Sequence, residues 1–584
     1  MSEVQQSYPL SETQYDAVII GTDLPQAVLA AALSLAGSRI LHLDANGFYG
    51  GKWATIPLSQ LNSFLETDNV GLIRSDAQSS DSKIREMFPD YELQELPALS
   101  TYDRLFPLGA RVLSFSHSVE LDHKIESCLL DLVPRPIMSS GEMVETLVRT
   151  NVGHYIDFRG VDGLYVQFPG SSGLQRVPGS RADVFQNSFV SMPEKRLLMR
   201  YVTKRYDDIR IRMEDNLETE DVESEDVESE SGDHSFDLSI QEDMDAMKLT
   251  STLQTFLTHS ILFSVGKESF SKLDAMNAIY TYQASVMRFG TKTPFLYPNF
   301  GTGELSQAFC RLSAVHGGTY VLRRGATALI RSPKGIDRNK SESADHHLGV
   351  VTTAGDVVRT KYVFVSHDLM SQEKEKKADI WHAIAVLDGS VMKAGEPDRV
   401  MITVPRGTLG NKASAVRIRQ VDAAVKVCPE GYYILYAETI EHGSTEHDIH
   451  GVLRNYVNLN HDDEFEQDGA DAEKTEGEHQ NGDIHKPNDS RAHMKPNCLW
   501  SISYSRTCGP SETDGTEGVV HVSASEMEHD MDEIIREAER CFRVVHPDRE
   551  FLAPRNPEEN TNEVLHSETG NGVQSPEAAE EEQE

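Results

Sequence analysis

The apolar and polar positions near the amino terminus form three short segments of different period. Residues 15–20 (YDAVII) are an apolar run with the length of a buried strand, and residues 21–26 (GTDLPQ) have the glycine and proline of a turn. Residues 27–36 (AVLAAALSLA) are strong helix formers that end before a glycine, and residues 39–43 (RILHL) are a second apolar run. This order predicts the strand–turn–helix–strand layout of a dinucleotide-binding βαβ unit.

The turn of this unit lacks the glycines with which such units bind a pyrophosphate. The fingerprint needs three of them, for a tight turn, for close approach of the phosphate and for close helix packing. Only Gly21 is present, because Asp23, whose carboxylate would repel a phosphate, and Gln26 replace the other two. Asp44 after the second strand keeps the position of the ribose-binding acid, but it could equally brace the turn. We therefore expect the fold of a dinucleotide-binding domain with a degenerate turn and no cofactor.

Helical periodicity replaces the strand pattern in the middle of the chain. Ser139 and Glu142 have the spacing of a capping box at a helix start. Apolar residues recur at helical spacing in residues 197–202, 249–261 and 273–287. We expect a small helical domain inserted into a sheet domain. Its apolar faces either form a packed core or separate to hold a long acyl or isoprenoid chain.

Composition excludes several classes of protein. Among the 584 residues, 55 are Lys or Arg and 93 are Asp or Glu, giving a formal net charge of −38 that argues against nucleic-acid binding. No apolar run reaches the roughly 18 residues of a membrane span, and the first residues lack the pattern of a secretory signal. The six cysteines form no C-x-x-C pair, so neither a zinc site nor a disulfide framework is indicated. We expect a cytoplasmic protein without a bound metal.

The acidic residues are concentrated in polar segments that contain few apolar side chains. Residues 214–232 (EDNLETEDVESEDVESESG) are the most acidic of these, and such segments cannot bury enough surface to become ordered. The expected division of the chain is a Rossmann-like sheet domain at 1–124, 150–185, 290–457 and 497–555, a helical domain at 125–149 and 186–289, and acidic disordered segments at 213–245, 458–496 and 556–584.

Longer motifs in four parts of the chain resemble one known superfamily. They lie in residues 15–54, in residues 129–163, in residues 288–324 (RFGTKTPFLYPNFGTGELSQAFCRLSAVHGGTYVLRR) and, more weakly, near the carboxyl end (REAERCFRVVHPDREF). With these motifs the sequence resembles the Rab GDP-dissociation inhibitors and Rab escort proteins, and the third motif is the most specific. Trp53 and the great length with acidic insertions favour the escort type over the shorter inhibitors.

The resemblance implies an α/β fold of the FAD-binding type that has lost its cofactor. It implies a protein that binds a GDP-bound, unprenylated Rab GTPase and presents it to the α/β heterodimer of Rab geranylgeranyltransferase. The helical domain would shelter the geranylgeranyl lipid, and the product would reach membranes through transient contact. In this family the prenyl-transfer chemistry and its zinc belong to the transferase, so an accessory protein rather than an enzyme is implied.

The resemblance also implies a Rab-binding surface on the sheet domain. Its residues here are Tyr49 in FYGG, Glu304 and Arg311 in GTGELSQAFCR, and Val321 after GGTY, where other members often have Met. Tyr and Arg are frequent anchors of interfaces. Each residue also has a structural alternative: Tyr49 could belong to the core, Glu304 could cap its helix, and Arg311 could pair with Glu304 or with another acid.

The transferase-docking surface is expected at residues 280–288, with Tyr282 and Arg288 exposed, although burial of this helix is an equal alternative. Three other functions stay open from the sequence alone. The protein could be an inhibitor that recycles prenylated Rab, a flavin-dependent oxidoreductase, or a scaffold that acts through its acidic segments.

Overall fold

The protein is described here by a computed structural model, whose described residues form two eight-stranded sheets, a three-stranded sheet, a two-stranded sheet and a group of helices. The structure describes residues 10, 12–66, 81–88, 91–97, 111–117, 123–171, 173–178, 189–219, 239–262, 271–331, 347–366, 378–411, 414–441, 448–459, 495–508, 518–523 and 531–553. The strands are β1 Gln14–Ile20, β2 Ile40–Leu43, β3 Thr55–Pro57, β4 Glu92–Glu95, β5 Arg111–His117, β6 Leu129–Asp131, β7 Ile137–Met138, β8 Phe158–Gly160, β9 Gly163–Val166, β10 Gln175–Arg176, β11 Phe295–Pro298, β12 Thr319–Val321, β13 Ala326–Arg331, β14 Leu348–Thr352, β15 Val357–Ser366, β16 Ala378–Leu387, β17 Val400–Val404, β18 Val416–Val421, β19 Tyr433–Glu441, β20 Cys498–Cys508 and β21 Val519–Val522. The helices are α1 Leu24–Leu35, α2 Leu58–Glu66, α3 Asp81–Met87, α4 Glu142–Arg149, α5 Met192–Thr219, α6 Ile240–Ala246, α7 Ser251–Ser260, α8 Lys272–Ser285, α9 Gly303–Val315, α10 Asp448–Leu453 and α11 Asp532–Val545.

The predicted βαβ unit forms the centre of the first sheet. The strand order is β12-β2-β1-β15-β14-β13-β4, and β21 also pairs with β15. Strands β12, β2, β1 and β15 run parallel, whereas β14, β13 and β4 are antiparallel to their neighbours. Helix α1 packs against α9 and α11 over one face of this sheet, in a core that contains Leu29, Phe309 and Phe542. The parallel strands are apolar on both faces because both faces are covered.

A second sheet of eight strands has the order β10-β9-β17-β18-β19-β16-β20-β5. Apolar clusters cover both of its faces, one around Trp500 and Tyr436 and the other around Ile418 and Leu435. Two small sheets have the strand orders β7-β11-β8 and β3-β6. The α/β class predicted from the sequence is confirmed by these sheets and helices.

The helical unit consists of α5 to α8 and packs on β9 and β11. Leu253, Leu257 and Ile279 are fully buried in its core. The side chains of Ser239, Thr250 and Ser271 cap the starts of α6, α7 and α8, which satisfies amide groups that have no partner within the helix.

Helix α4 does not belong to this unit, although residues 125–149 were expected there. Its buried residues Met143 and Leu147 pack in the same core as α1 and α11. The predicted capping box is also wrong, because the residue before the helix is Gly141, which has no side chain to cap it. Asp532, at the start of α11, accepts a hydrogen bond of 3.0 Å from the amide of Met143 and replaces the predicted local cap.

Several predicted boundaries differ from the structure. The turn is shorter than residues 21–26, because α1 starts at Leu24 and tolerates Pro25 in its first turn, where an amide group is not needed. Residues 213–245 were predicted to be disordered, but α5 continues to Thr219 and α6 occupies Ile240–Ala246. Residues 220–238 of this segment, residues 460–494 and the tail from 554 lie outside the described residues.

Candidate functional site

The turn between β1 and α1 is held by side chains of this chain. Asp44 is buried and its Oδ2 accepts hydrogen bonds from the amide and hydroxyl groups of Thr22, at 2.8 and 2.5 Å. The side-chain amide of Gln26 donates to the carbonyl of Ile20 at 3.2 Å. Asp44 could have bound a ribose or braced the turn, and the structure shows that it braces the turn.

Asp23 turns its carboxylate towards the segment that contains the FYGG motif. Its Oδ1 accepts a hydrogen bond of 3.1 Å from the amide of Lys52. A Cβ atom on Gly51 would lie 2.1 Å from the same oxygen, so only glycine permits this approach.

These residues do not fit the pyrophosphate of a dinucleotide. The carboxylate of Asp23 is a negative group in the turn, and Pro25 has no amide hydrogen to donate at the start of the helix. The segment 50–53, packed on Asp23, further closes the turn.

Tyr49 lies half-buried between α9 and β12. Its ring is 5.9 Å from that of Tyr320 in an edge-to-face arrangement, and it packs against the core of the first sheet. Burial raises the pKa of Tyr49, with a smaller contribution from the nearby Cys310. The protein therefore fixes one side of this ring and leaves the other side partly accessible.

Glu304 and Arg311 lie two turns apart on α9. Glu304 is half-buried in the first turn of the helix, where burial raises the pKa of its carboxyl group. Gln307 donates a hydrogen bond of 3.2 Å to Glu304. Arg311 is exposed, and its guanidinium lies 4.3 Å from the ring centre of Tyr155. Among the residues that the structure describes, Arg311 and Glu304 form no ion pair.

Val321 is at the end of β12, beside β2. Its carbonyl accepts a hydrogen bond of 3.1 Å from the amide of Asp44, and its side chain is half-buried. Tyr320, its neighbour in the strand, contacts Tyr49. Tyr49 is thus linked to Val321 through Tyr320 of β12, and it packs against the core cluster that contains Cys310 of α9, the helix of Glu304 and Arg311.

Tyr155 lies beside Arg311 and was not among the candidate residues predicted from the sequence. It is 45% exposed, an unusual property for an aromatic side chain, and it stacks on Arg311. The only signal in the sequence was its place inside one of the motifs, because neither its exposure nor its distance from Arg311 can be inferred from spacing.

The exposure expected of the side chains at 280–288 is found for one of the two named residues. Tyr282 is buried, with 5% of its surface exposed, so the prediction of an exposed side chain is wrong. Its helix, α8, ends at Ser285, and Tyr282 faces the core of the helical unit. Arg288 is exposed, as predicted, and lies after the helix, where it donates to the carbonyl of Ser139 at 2.7 Å and pairs with Glu145.

Comparison with known protein families shows to which family this chain belongs. The family model described as GDP dissociation inhibitor matches residues 11–82 and 120–495, which is well over half of the chain. The chain belongs to this family.

Relatives within the family match along almost the whole chain. Rab proteins geranylgeranyltransferase component A 2 of Mus musculus is 24% identical, with 94% of this chain and 98% of the relative covered. Rab escort protein 1 of Arabidopsis thaliana is 25% identical, with 95% of this chain and 97% of the relative covered. The crystal structure of a Rab GDI from Plasmodium falciparum is 17% identical with a TM-score of 0.58, covering 92% of this chain and 99% of that one, which supports the fold.

Two further findings concern the described residues only. They contain no helix that is both long and apolar enough to cross a membrane. They also contain no group of three or more His, Cys, Asp or Glu side chains that could hold a metal ion.

Proposed function

We propose that this family member is a Rab escort protein. It binds a GDP-bound, unprenylated Rab GTPase, presents it to Rab geranylgeranyltransferase and delivers the prenylated product to membranes. The observation that supports this most is the match, over almost the full length of both chains, to relatives named as a Rab escort protein and as component A of Rab geranylgeranyltransferase. The protein acts by binding, in the cytoplasm, and does not itself catalyse prenyl transfer.

We assign GTPase binding to the surface formed by Tyr49, Glu304, Arg311 and Val321, extended by Tyr155. Tyr49 and Tyr155 offer partly exposed aromatic rings on a rigid support, and such anchors lose little entropy on binding. Arg311 stacks on Tyr155 and forms no ion pair with a carboxylate of the described residues, so its hydrogen-bond donors are available to a partner. Glu304 offers an acceptor two turns away on the same helix.

The helical unit receives the lipid and the transferase in this proposal. Its core is closed in the present structure, with Leu253 and Leu257 fully buried, so the helices must separate to admit a prenyl chain. Each buried CH₂ group of the chain would contribute about 0.8 kcal/mol to binding. Arg288 and the exposed Met287 and Phe289 form the proposed contact with the transferase, to which the buried Tyr282 makes no direct contribution.

Reconstitution tests the proposal. Purified transferase and an unprenylated, GDP-loaded Rab should incorporate geranylgeranyl groups only when this protein is added. Arg311→Ala should lower the affinity for the Rab about tenfold, because interface arginines often contribute more than 1 kcal/mol. Arg196→Ala, which removes an exposed arginine from the helical unit, is the control and should leave the affinity unchanged.

The alternative is an inhibitor that extracts prenylated Rab from membranes, which the description of the family model favours. An inhibitor would bind prenylated Rab but would not stimulate the transferase. Lack of stimulation together with extraction of Rab from vesicles would therefore replace the escort function by this one.

A further inference from the structure

A buried carboxylate lies outside the proposed Rab-binding surface. It connects the two chain segments that carry the residues of this surface. Asp131 ends β6 and has no exposed surface. Its Oδ1 accepts hydrogen bonds from the hydroxyl of Thr55 at 2.6 Å and from the amide of Thr302 at 3.0 Å. Its Oδ2 accepts from the hydroxyl of Tyr297. One side chain thus joins β3, β11 and the start of α9.

The elements held by Asp131 are those that carry the proposed Rab contacts. Thr55 follows the segment of Tyr49, separated from it by one short turn. Thr302 immediately precedes α9, which carries Glu304 in its first turn and Arg311 further along. The hydroxyl of Thr55 also accepts a hydrogen bond of 2.9 Å from the amide of Gly303, so the two segments are tied together directly as well.

The turn before α9 is tightly packed against Asp131 and β3. Gly301 has a φ of 96°, and a Cβ atom there would lie 2.4 Å from the hydroxyl oxygen of Thr55 and 2.7 Å from Oδ1 of Asp131. The turn before α9 therefore lies directly against β3 and the carboxylate. A change at Asp131 must move this turn relative to the segment of Tyr49, because close-packed interiors transmit such changes.

We propose that Asp131 is a positioning residue of the Rab-binding surface. It sets the distance between the segment of Tyr49 and the start of α9, and thereby the fit of the surface to a GDP-bound Rab GTPase, without contacting the partner. This inference rests on the proposed function and adds to it a residue that neither motif spacing nor exposure indicates.

The test compares Asp131 with a matched buried carboxylate elsewhere. Asp243 in the helical unit is also buried and accepts a hydrogen bond of 2.8 Å from the hydroxyl of Tyr201; it additionally pairs with Arg205 and Lys272, and it lies on α6, away from the surface. The affinity for a fluorescently labelled, GDP-loaded Rab is measured per folded molecule for Asp131→Ala and for Asp243→Ala. We expect a loss of about tenfold for Asp131→Ala, since several hydrogen bonds to a charged group disappear, and at most about twofold for Asp243→Ala.

Two further variants separate positioning from general stability. Asp131→Asn keeps one acceptor oxygen and should bind with intermediate affinity. Thr55→Val keeps the shape and removes only the hydroxyl, so it should fold even if Asp131→Ala does not, and should weaken Rab binding several-fold. In the Glu304→Gln background the loss from Asp131→Ala should shrink, because the two residues act through the same contact.

The outcomes distinguish the inference from the function on which it rests. If the wild-type protein binds no GDP-loaded Rab, the proposed function is wrong and the inference is wrong with it. If the wild type binds and Asp131→Ala or Thr55→Val binds equally well, only the inference is overturned. Equal losses for Asp131→Ala and Asp243→Ala would also overturn it, since they would reflect stability alone.

Discussion

His42 is completely buried in β2, where its ring contacts the carbonyl of Gly21 and lies 4.9 Å from the ring of Tyr320. Burial lowers the pKa of His42 from 6.5 to about 4. The folded protein therefore keeps this ring neutral at a pH where the unfolded chain binds a proton. At the scale of single residues, the turn that no longer suits a phosphate is now supported by a neutral histidine and by the carboxylates of Asp23 and Asp44.

This histidine predicts the direction of a pH effect. Since the unfolded state binds the additional proton, the free energy of unfolding should fall as the pH decreases from about 6.5 to about 4, by up to about 3 kcal/mol from this group. His42→Gln removes that contribution, and the difference in free energy of unfolding between variant and wild type should change over this range. Denaturant unfolding at several pH values measures it. Parallel curves for the two proteins would contradict the prediction.

At the scale of elements, the start of α4 is completed by a distant part of the chain. Asp532 accepts the hydrogen bond from Met143 at the start of α4, although 389 residues separate them in sequence. Asp532→Ala should lower the free energy of unfolding by about 1–2 kcal/mol, as loss of a helix cap does. Asp532→Asn, which keeps an acceptor, should have a smaller effect. The measurement is denaturant unfolding at neutral pH.

Ser139→Ala is the matched control for this prediction. Ser139 is the residue that its spacing marks as the cap, but it does not cap the helix in the structure. Its replacement should therefore have much less effect than that of Asp532. If Ser139→Ala were as destabilising as Asp532→Ala, Ser139 would cap the helix as its spacing predicts, and the prediction for Asp532 would be wrong.

At the scale of the whole molecule, the proposed binding surface lies on other elements than the helix that precedes the acidic segment in the chain. Residues 220–232 follow α5 of the helical unit, whereas Glu304 and Val321 lie on elements of the first sheet. Deleting 220–232 should therefore leave the affinity for a GDP-loaded Rab within about twofold of the wild type, as a binding titration can measure.

A large loss on deletion would instead favour a scaffold that acts through its acidic segments. A variant of unchanged length, with Asn and Gln in place of Asp and Glu in 220–232, separates the effect of charge from that of length. We expect this variant to bind like the wild type.

Much of the fold could be predicted because it is determined by local patterns. The apolar runs of β1 and β2 and the helix-forming residues of α1 predicted the βαβ unit correctly, since strand and helix periods are properties of short segments. The family resemblance was confirmed by the match to the GDP dissociation inhibitor family. The loss of the phosphate-binding glycines could also be read directly from residues 21–26.

The sequence by itself determined the βαβ unit, the presence of a separate helical unit and the loss of the phosphate-binding glycines from the turn. Each of these features depends on residues that are neighbours in the chain. Only the tertiary structure decided that Tyr282 is buried, that α4 packs with α11 and that Arg311 rests on Tyr155. These facts depend on contacts between residues far apart in the chain. Such contacts are set by the packing of whole elements, for which the spacing of residues in one segment contains no information.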